Sequence, residues 1–283
     1  MINIGYRAAR IQGNSIRSIY QLALSQIADR PITQNRSVSL AVYSFSSHRD
    51  LSEQIASIRS FIRHVGIPDR FTVISDGSHL EDDYKLIHKI HPCVEVKMWE
   101  DLIRSDLPKY VYDYAYNHPH HHAMGKRLAV FMSLSIDKPT LYTDSDILFF
   151  PESEELINLC LFDDVFPWYL PDCAAALDER ILLNDLEKLN PVNAGFFLLK
   201  KQLDWEIPLQ RLSKLKELPI FHTDQTLIHL AIHAAQGKPF SKNKFILQLD
   251  DEFIYPDRYA SNKIAMRHYV NPVRHKFWLN VAT

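Results

Sequence analysis

The sequence predicts an α/β domain with a mostly parallel central sheet flanked by helices. Two observations carry that prediction. Residues 37–46, 71–75 and 94–98 read as strands, and helical apolar spacing over residues 51–62 and 81–90 separates them. This β-α-β-α-β order implies parallel neighbours, with ligands bound at the carboxyl ends of the strands. The 283 residues, 46% of them hydrophobic, are enough for one large core or two small ones. The expected organisation is a helical extension over residues 1–36 followed by one domain over residues 37–283.

Composition excludes several classes. A net charge of -2 offers no uniform positive field for nucleic acid. Cys93, Cys160 and Cys173 lack metal-like spacing, and their odd number suits a reducing compartment. No apolar run approaches the ~20 residues of a membrane span. Residues 1–7 lack the core of a signal peptide. The expectation is a soluble, cytoplasmic protein without a transmembrane segment.

In the extension, Asn14 or Ser15 can cap a helix that presents Ile16, Ile19, Tyr20, Ala23, Leu24 and Ile27 on one face, and Pro31 stops it. Arg7, Arg10 and Arg17 precede the first acidic residue, which suits peripheral contact with an anionic membrane surface. Packing of this helix on the main domain is the preferred reading. The strand over residues 71–75 ends in Asp76-Gly77-Ser78. Asp76 there can accept hydrogen bonds from a nucleotide base or ribose, although Asp-Gly-Ser is also ordinary turn chemistry. Histidines 118 and 120–122 stand around a Pro turn and lack helical spacing with carboxylates, which argues against zinc. A buried helix over residues 128–134 follows. Lys126 and Arg127 at its start are candidate diphosphate contacts, or a solvated first turn.

Residues 141–150 hold the centre of the reading. This apolar, β-prone run carries Asp144 and Asp146, two residues apart, and in a strand such residues share a face. Adjacent carboxylates repel in a poorly hydrated setting. A divalent cation relieves that repulsion, and Mg²⁺ or Mn²⁺ bound by few protein carboxylates suits a phosphorylated ligand. The bland alternative is a strand end with solvated aspartates. Beyond it lie a surface helix over residues 152–161 and a polar segment over residues 163–191 that suits an acceptor-binding loop. A strand over residues 193–199 follows, then a helix near His222 with Thr223 as N-cap.

Four motifs occur in order: Leu141-Tyr142-Thr143-Asp144-Ser145-Asp146, Asn193-Ala194-Gly195, Asp224-Gln225, and His268 through Trp278. Together they resemble nucleotide-sugar glycosyltransferases of the GT-A fold, especially the glycogenin and galactosyltransferase-like family 8. The resemblance covers residues 37–283 in layout. It implies that Asp144, Asp146 and His268 hold Mn²⁺ or Mg²⁺ and that Asp144 also touches the ribose. It implies further that Lys276 contacts the donor phosphates, that Asn193, Ala194 and Gly195 line the sugar pocket, and that Asp224 and Gln225 sit beside the reacting carbon. The implied partners are a nucleotide-sugar donor, in particular a UDP-sugar, and a hydroxyl acceptor on a glycan, lipid-linked molecule or protein. Retention is favoured; in an inverting enzyme Asp224 would be the general base. The last motif departs from the family pattern. Asn271 stands where the family has Gly, Phe277 where it has Pro, and Lys276 lies two residues further from His268. Arg274 or His275 could share its role.

The alternatives are a nucleotide-sugar-binding module without turnover, an Asp-x-Asp phosphatase, and a sugar nucleotidyltransferase. The phosphatase pattern wants Thr or Val where Leu148 stands. A nucleotidyltransferase usually opens with a Gly-rich loop, and residues 38–50 contain no Gly.

Overall fold

The computed structural model describes residues 3–162 and 164–281. Positions 1 and 2 of the expected extension, 163 at the head of the polar segment, and 282–283 lie outside the described residues. The strands are β1 (Ser37–Ser46), β2 (Ile67–Ser75), β3 (Val94–Met98), β4 (Thr140–Thr143), β5 (Ile147–Phe149), β6 (Trp168–Pro171), β7 (Val192–Leu199), β8 (Lys238–Pro239), β9 (Phe245–Ile246) and β10 (Met266–His268). The helices are α1 (Ile4–Leu22), α2 (Leu24–Asp29), α3 (Leu51–His64), α4 (Glu81–His88), α5 (Lys109–Tyr112), α6 (His122–Ser133), α7 (Glu155–Leu161), α8 (Glu206–Ser213), α9 (Thr223–Ala234) and α10 (Phe277–Asn280).

Seven strands form one mixed, mostly parallel sheet in the order β3-β2-β1-β4-β7-β6-β8. The expected β-α-β-α-β unit pairs in parallel, and β4 adds to the other side of β1. β7 then runs antiparallel to both β4 and β6. A small second sheet, β5-β10-β9, lies beside the first. Alternate residues of β1 feed opposite cores, as strand geometry requires. Leu40 and Val42 join Ile55, Ile58 and Ile62 of α3, while Ala41 and Tyr43 join Leu128, Phe131 and Ile228 from α6 and α9. Phe61 meets Phe71 and Phe149 edge-on at 5.6 and 5.0 Å, tying α3 to both sheets. Each buried ring of this size contributes roughly 2–3 kcal/mol.

Several local expectations need correction. Residues 141–150 are not one strand. β4 ends at Thr143 and β5 starts at Ile147 in the other sheet, so Asp144 and Asp146 sit in the turn between sheets. Asn3, not Asn14 or Ser15, caps α1, accepting the Tyr6 N–H at 3.0 Å. α6 begins at His122, which places Lys126 and Arg127 inside the helix. His222 occupies the cap position of α9, and the Thr223 hydroxyl accepts the Ile220 N–H and donates to Asp178. The polar segment holds a strand, β6, that its flanking prolines obscured.

α1 packs on the 3₁₀ turn Asn271–Lys276 and on α10, with Tyr20 and Trp278 rings 5.1 Å apart. Arg17 of α1 pairs with the buried Glu53 of α3 at 2.7 Å. No described helix is long and apolar enough to cross a membrane.

His229 on α9 joins that helix to the loop before β7. One ring nitrogen accepts the Val192 N–H at 3.3 Å, and the other donates to the Glu187 carbonyl at 2.7 Å. This arrangement requires the neutral ring, and burial, with His233 nearby, lowers its pKa to about 4. The unfolded ring, with an ordinary pKa near ~6.5, therefore takes up a proton first as pH falls. The contribution of His229 is whole above that value and declines down to about 4, by about 2 kcal/mol at about pH 5. Melting temperature should fall over that interval, and His229→Gln, which keeps one donor and one acceptor, should flatten the fall.

Candidate functional site

A cleft of about 750 Å³ opens at the carboxyl ends of β1, β2 and β4 and at the start of the antiparallel β7. The β4–β5 turn delivers Asp144 and Asp146 to its floor. The Asp144 N–H donates to the Gly195 carbonyl at 2.8 Å, and the Tyr269 N–H donates to the Asp146 carbonyl at 2.9 Å. β10 pairs with β5 so that His268 lies opposite Ile147, one residue past Asp146. Its Nε2 is 3.0 Å from Asp146 Oδ1 and 3.7 Å from Asp144 Oδ2.

One ligand atom from each of these three side chains lies within 4.8 Å of the others, the one such cluster among the described residues. Atoms bound about 2.1 Å from a common octahedral ion stand roughly 3 Å apart in cis and roughly 4 Å in trans. The spacing therefore fits an ion, and two carboxylates with an imidazole fit Mn²⁺ or Mg²⁺. Buried Nδ1 of His268 has no partner, so it is Nε2 that addresses the carboxylates.

Gly195 makes the cluster possible. A Cβ there would stand 2.5 Å from Asp144 Oδ2 and 2.5 Å from His268 Cε1. The missing side chain admits the Asp144 carboxylate and the His268 ring, and Gly195 itself lines the cleft.

Two guanidiniums complete the charge balance. Arg274 donates to Asp146 Oδ2 at 2.9 Å and lies 3.5 Å from Asp50. Arg127 lies 3.7 Å from Asp144 Oδ1 and donates through Nε to Asp224 Oδ2 at 2.8 Å. Burial pushes both carboxyls of the turn up. In Asp146, His268 and Arg274 outweigh burial and hold the pKa at about 2. In Asp144 burial prevails over Arg127 and His268, and the pKa is raised. Burial would lower His268, but Asp146 and Asp144 raise it. The Tyr142 hydroxyl donates to Asp144 Oδ1 at 2.8 Å, fixing that carboxylate from behind.

Of the other expected site residues, Asn193, Gln225 and Asp76 line the cleft. Asn193 and Gln225 converge on Asp172, donating to its Oδ2 at 3.1 and 3.2 Å. Gln225 also accepts the Ala194 N–H at 3.2 Å. Asp76 accepts from the Ser78 N–H and hydroxyl at 2.9 and 2.6 Å, so the turn reading and the cleft position coexist.

Four residues depart from expectation. Lys126 donates to the Asp76 carbonyl at 2.7 Å and lies over the Trp99 ring, off the cleft wall. Ala194 turns its methyl into the core, because it alternates with Asn193 and Gly195 along β7. Asp224 is fully buried beneath Arg127 and is not on the cleft wall. Lys276 is also fully buried, 3.1 Å from Asp251 Oδ2 and donating to the Pro256 carbonyl. The 3₁₀ turn sends Lys276 inward and Arg274 to the cleft. Asp50 and Asp172 escaped the sequence reading, although each stands next to a strand end or helix start.

No protein-family model and no curated protein sequence matches the chain. Solved structures do. The chain is similar to the bifunctional glycosyltransferase WbbM over 90% of its length and 51% of that chain, with a TM-score of 0.59 and 14% identity. It thus spans about half of WbbM. It is similar to the galactosyltransferase LgtC, solved with donor and acceptor sugar analogs, over 86% of its length and 95% of that chain, with a TM-score of 0.57 and 15% identity. Mouse xyloside xylosyltransferase 1 is similar over 84% of this chain and 99% of its own, with a TM-score of 0.54 and 9% identity. The fold is GT-A, as the motif order implied.

Gly195→Ala should lower Mn²⁺ affinity at least about ten-fold, since its methyl must displace Asp144 or His268. Titration calorimetry checks this, with circular dichroism expected to match wild type; unchanged affinity would remove the cluster as the ion's site.

Proposed function

We propose that the protein is a metal-dependent glycosyltransferase that moves a sugar from a nucleotide-sugar donor, a UDP-sugar first, to a hydroxyl acceptor with retention of configuration. The observation that carries this reading is the Asp144–Asp146–His268 cluster at the carboxyl-end cleft of a GT-A fold. Those three side chains hold Mn²⁺ or Mg²⁺, which when bound neutralises charge on the departing diphosphate.

The chain's own groups do the rest. Arg274 donates to the diphosphate oxygens in the role the resemblance gave to Lys276, exchanging Asp146 for a phosphate of like charge. Asp76 accepts from the base or ribose at the β2 end of the cleft. Asn193, Gln225 and Asp172 form a hydrogen-bonded group that addresses the sugar hydroxyls. Arg127 lies beside Asp144, and Asp224 orients it from below. Asp224 is a positioning residue in this scheme. Its burial under Arg127 leaves it poorly placed to be the base of an inverting reaction, which favours retention. The bond from anomeric carbon to phosphate oxygen breaks, the acceptor oxygen bonds on the same face, and its proton passes to the released phosphate oxygen.

The test combines UDP binding with release of UDP from UDP-sugars. Wild-type protein should bind UDP far better with Mn²⁺ than without it. Asp146→Asn should lose metal-dependent binding and at least about 100-fold in UDP release. Arg274→Ala should weaken UDP binding about ten-fold or more, whereas Lys276→Met should lower stability instead. Full activity of Asp146→Asn would refute the proposal. Binding without release or transfer would leave a nucleotide-sugar-binding module, and metal-dependent cleavage of simple phosphate esters alone would indicate a phosphatase.

A further inference from the structure

α1 has two working faces. The inner one is committed to the body of the protein: Tyr20 packs on Trp278, and Arg17 donates to Glu53 and to the Arg49 carbonyl at 2.9 Å. The outer one carries Ile4, Ile11, Ile19 and Leu22, exposed by 77, 67, 66 and 90%. At 3.6 residues per turn Ile4, Ile11 and Leu22 fall on one line, Ile19 falls beside it, and small Ala8, Ser15 and Ser18 lie between. The stripe is about 27 Å long.

Charge selects among possible occupants. No Asp or Glu precedes Asp29, although the chain has 34 acidic residues. Arg7 and Arg10 lie along one side of the stripe and are exposed; Arg10 donates to the Tyr6 hydroxyl at 3.2 Å, and neither forms an ion pair among the described residues. Carboxylates on the segments beside α1 are turned to other cations: Glu53 to Arg17, Asp250 to Arg258, and Asp251 to Arg267 and Lys276, while Glu252 is half-buried. Two copies meeting stripe to stripe would bring these cations together without a carboxylate of α1 to pair them. A bilayer with anionic headgroups satisfies both features, because apolar side chains enter the acyl boundary while arginines stay at headgroup level.

We infer that the outer face of α1 docks the protein on an anionic phospholipid surface. On its inner side the helix holds two elements that line the cleft: Arg17 donates to the backbone of Arg49, and the 3₁₀ turn that carries Arg274 packs against α1.

The test is flotation of the full chain with vesicles of phosphatidylcholine alone, or with about a third phosphatidylglycerol. The bound fraction should rise at least about ten-fold on the anionic vesicles and fall back in high salt. The double substitution I11S/L22S should reduce anionic binding about ten-fold or more, and R7E/R10E should abolish the preference for anionic vesicles. Both should keep the wild-type Mn²⁺-dependent UDP affinity and melting temperature. If I11S/L22S fails to fold, R7E/R10E and the salt dependence decide. Equal binding to both vesicle types, binding unchanged in R7E/R10E, or a solution dimer that I11S/L22S dissolves without any vesicle binding would overturn the inference.

Discussion

Two carboxylates held in one tight turn and largely removed from water set the terms for this structure. Asp144 and Asp146 cannot both stay ionised there without compensating positive charge. His268, Arg274 and Arg127 supply it, and each comes from a different part of the chain. The small sheet β5-β10-β9 brings in His268, the 3₁₀ turn after it brings in Arg274, and α6 brings in Arg127. Removing any one leaves a buried or half-buried carboxylate short of a partner, which costs more than the bond itself contributes.

The same balance poises the site for a ligand. Arg274 and His268 occupy positions where a divalent ion and an anionic group can take over their contacts, so binding exchanges partners for Asp146 without stripping it of charge. Rigid support comes from behind. Tyr142 fixes one oxygen of Asp144, Gly195 leaves space in front, and Asp224 braces Arg127 from the core. The carboxyl of Asp224 has one oxygen bonded to Arg127 and the other, buried, without a partner, which ties its position to that single guanidinium.

The strands and helices were legible in the sequence because their signals are local, whereas the distant members of the site came only through the family resemblance. Strand and helix spacing located β1 through β3 and their helices, and the four ordered motifs pointed to the GT-A fold and to Asp144, Asp146 and His268. What was illegible depends on direction at a single residue. Ala194 and Asn193 are neighbours, yet strand alternation sends one to the core and the other to the cleft. Lys276 and Arg274 are two residues apart on a 3₁₀ turn, and their partners, Asp251 and Pro256 for one and Asp146 for the other, lie far away in the chain. The strand reading of residues 141–150 placed the two aspartates together for the wrong reason, since a turn between two sheets, not one strand face, brings them side by side. Asp172 gave no signal because its partners, Asn193 and Gln225, lie 21 and 53 residues away.

The most direct test of the account is a crystal grown with Mn²⁺ and UDP, with anomalous scattering used to locate the ion. One manganese peak should lie within coordination distance of Asp144, Asp146 and His268, with the Arg274 guanidinium moved from Asp146 onto the diphosphate. A manganese peak elsewhere, or UDP bound with Arg274 still on Asp146 and no ion between the carboxylates, would contradict it.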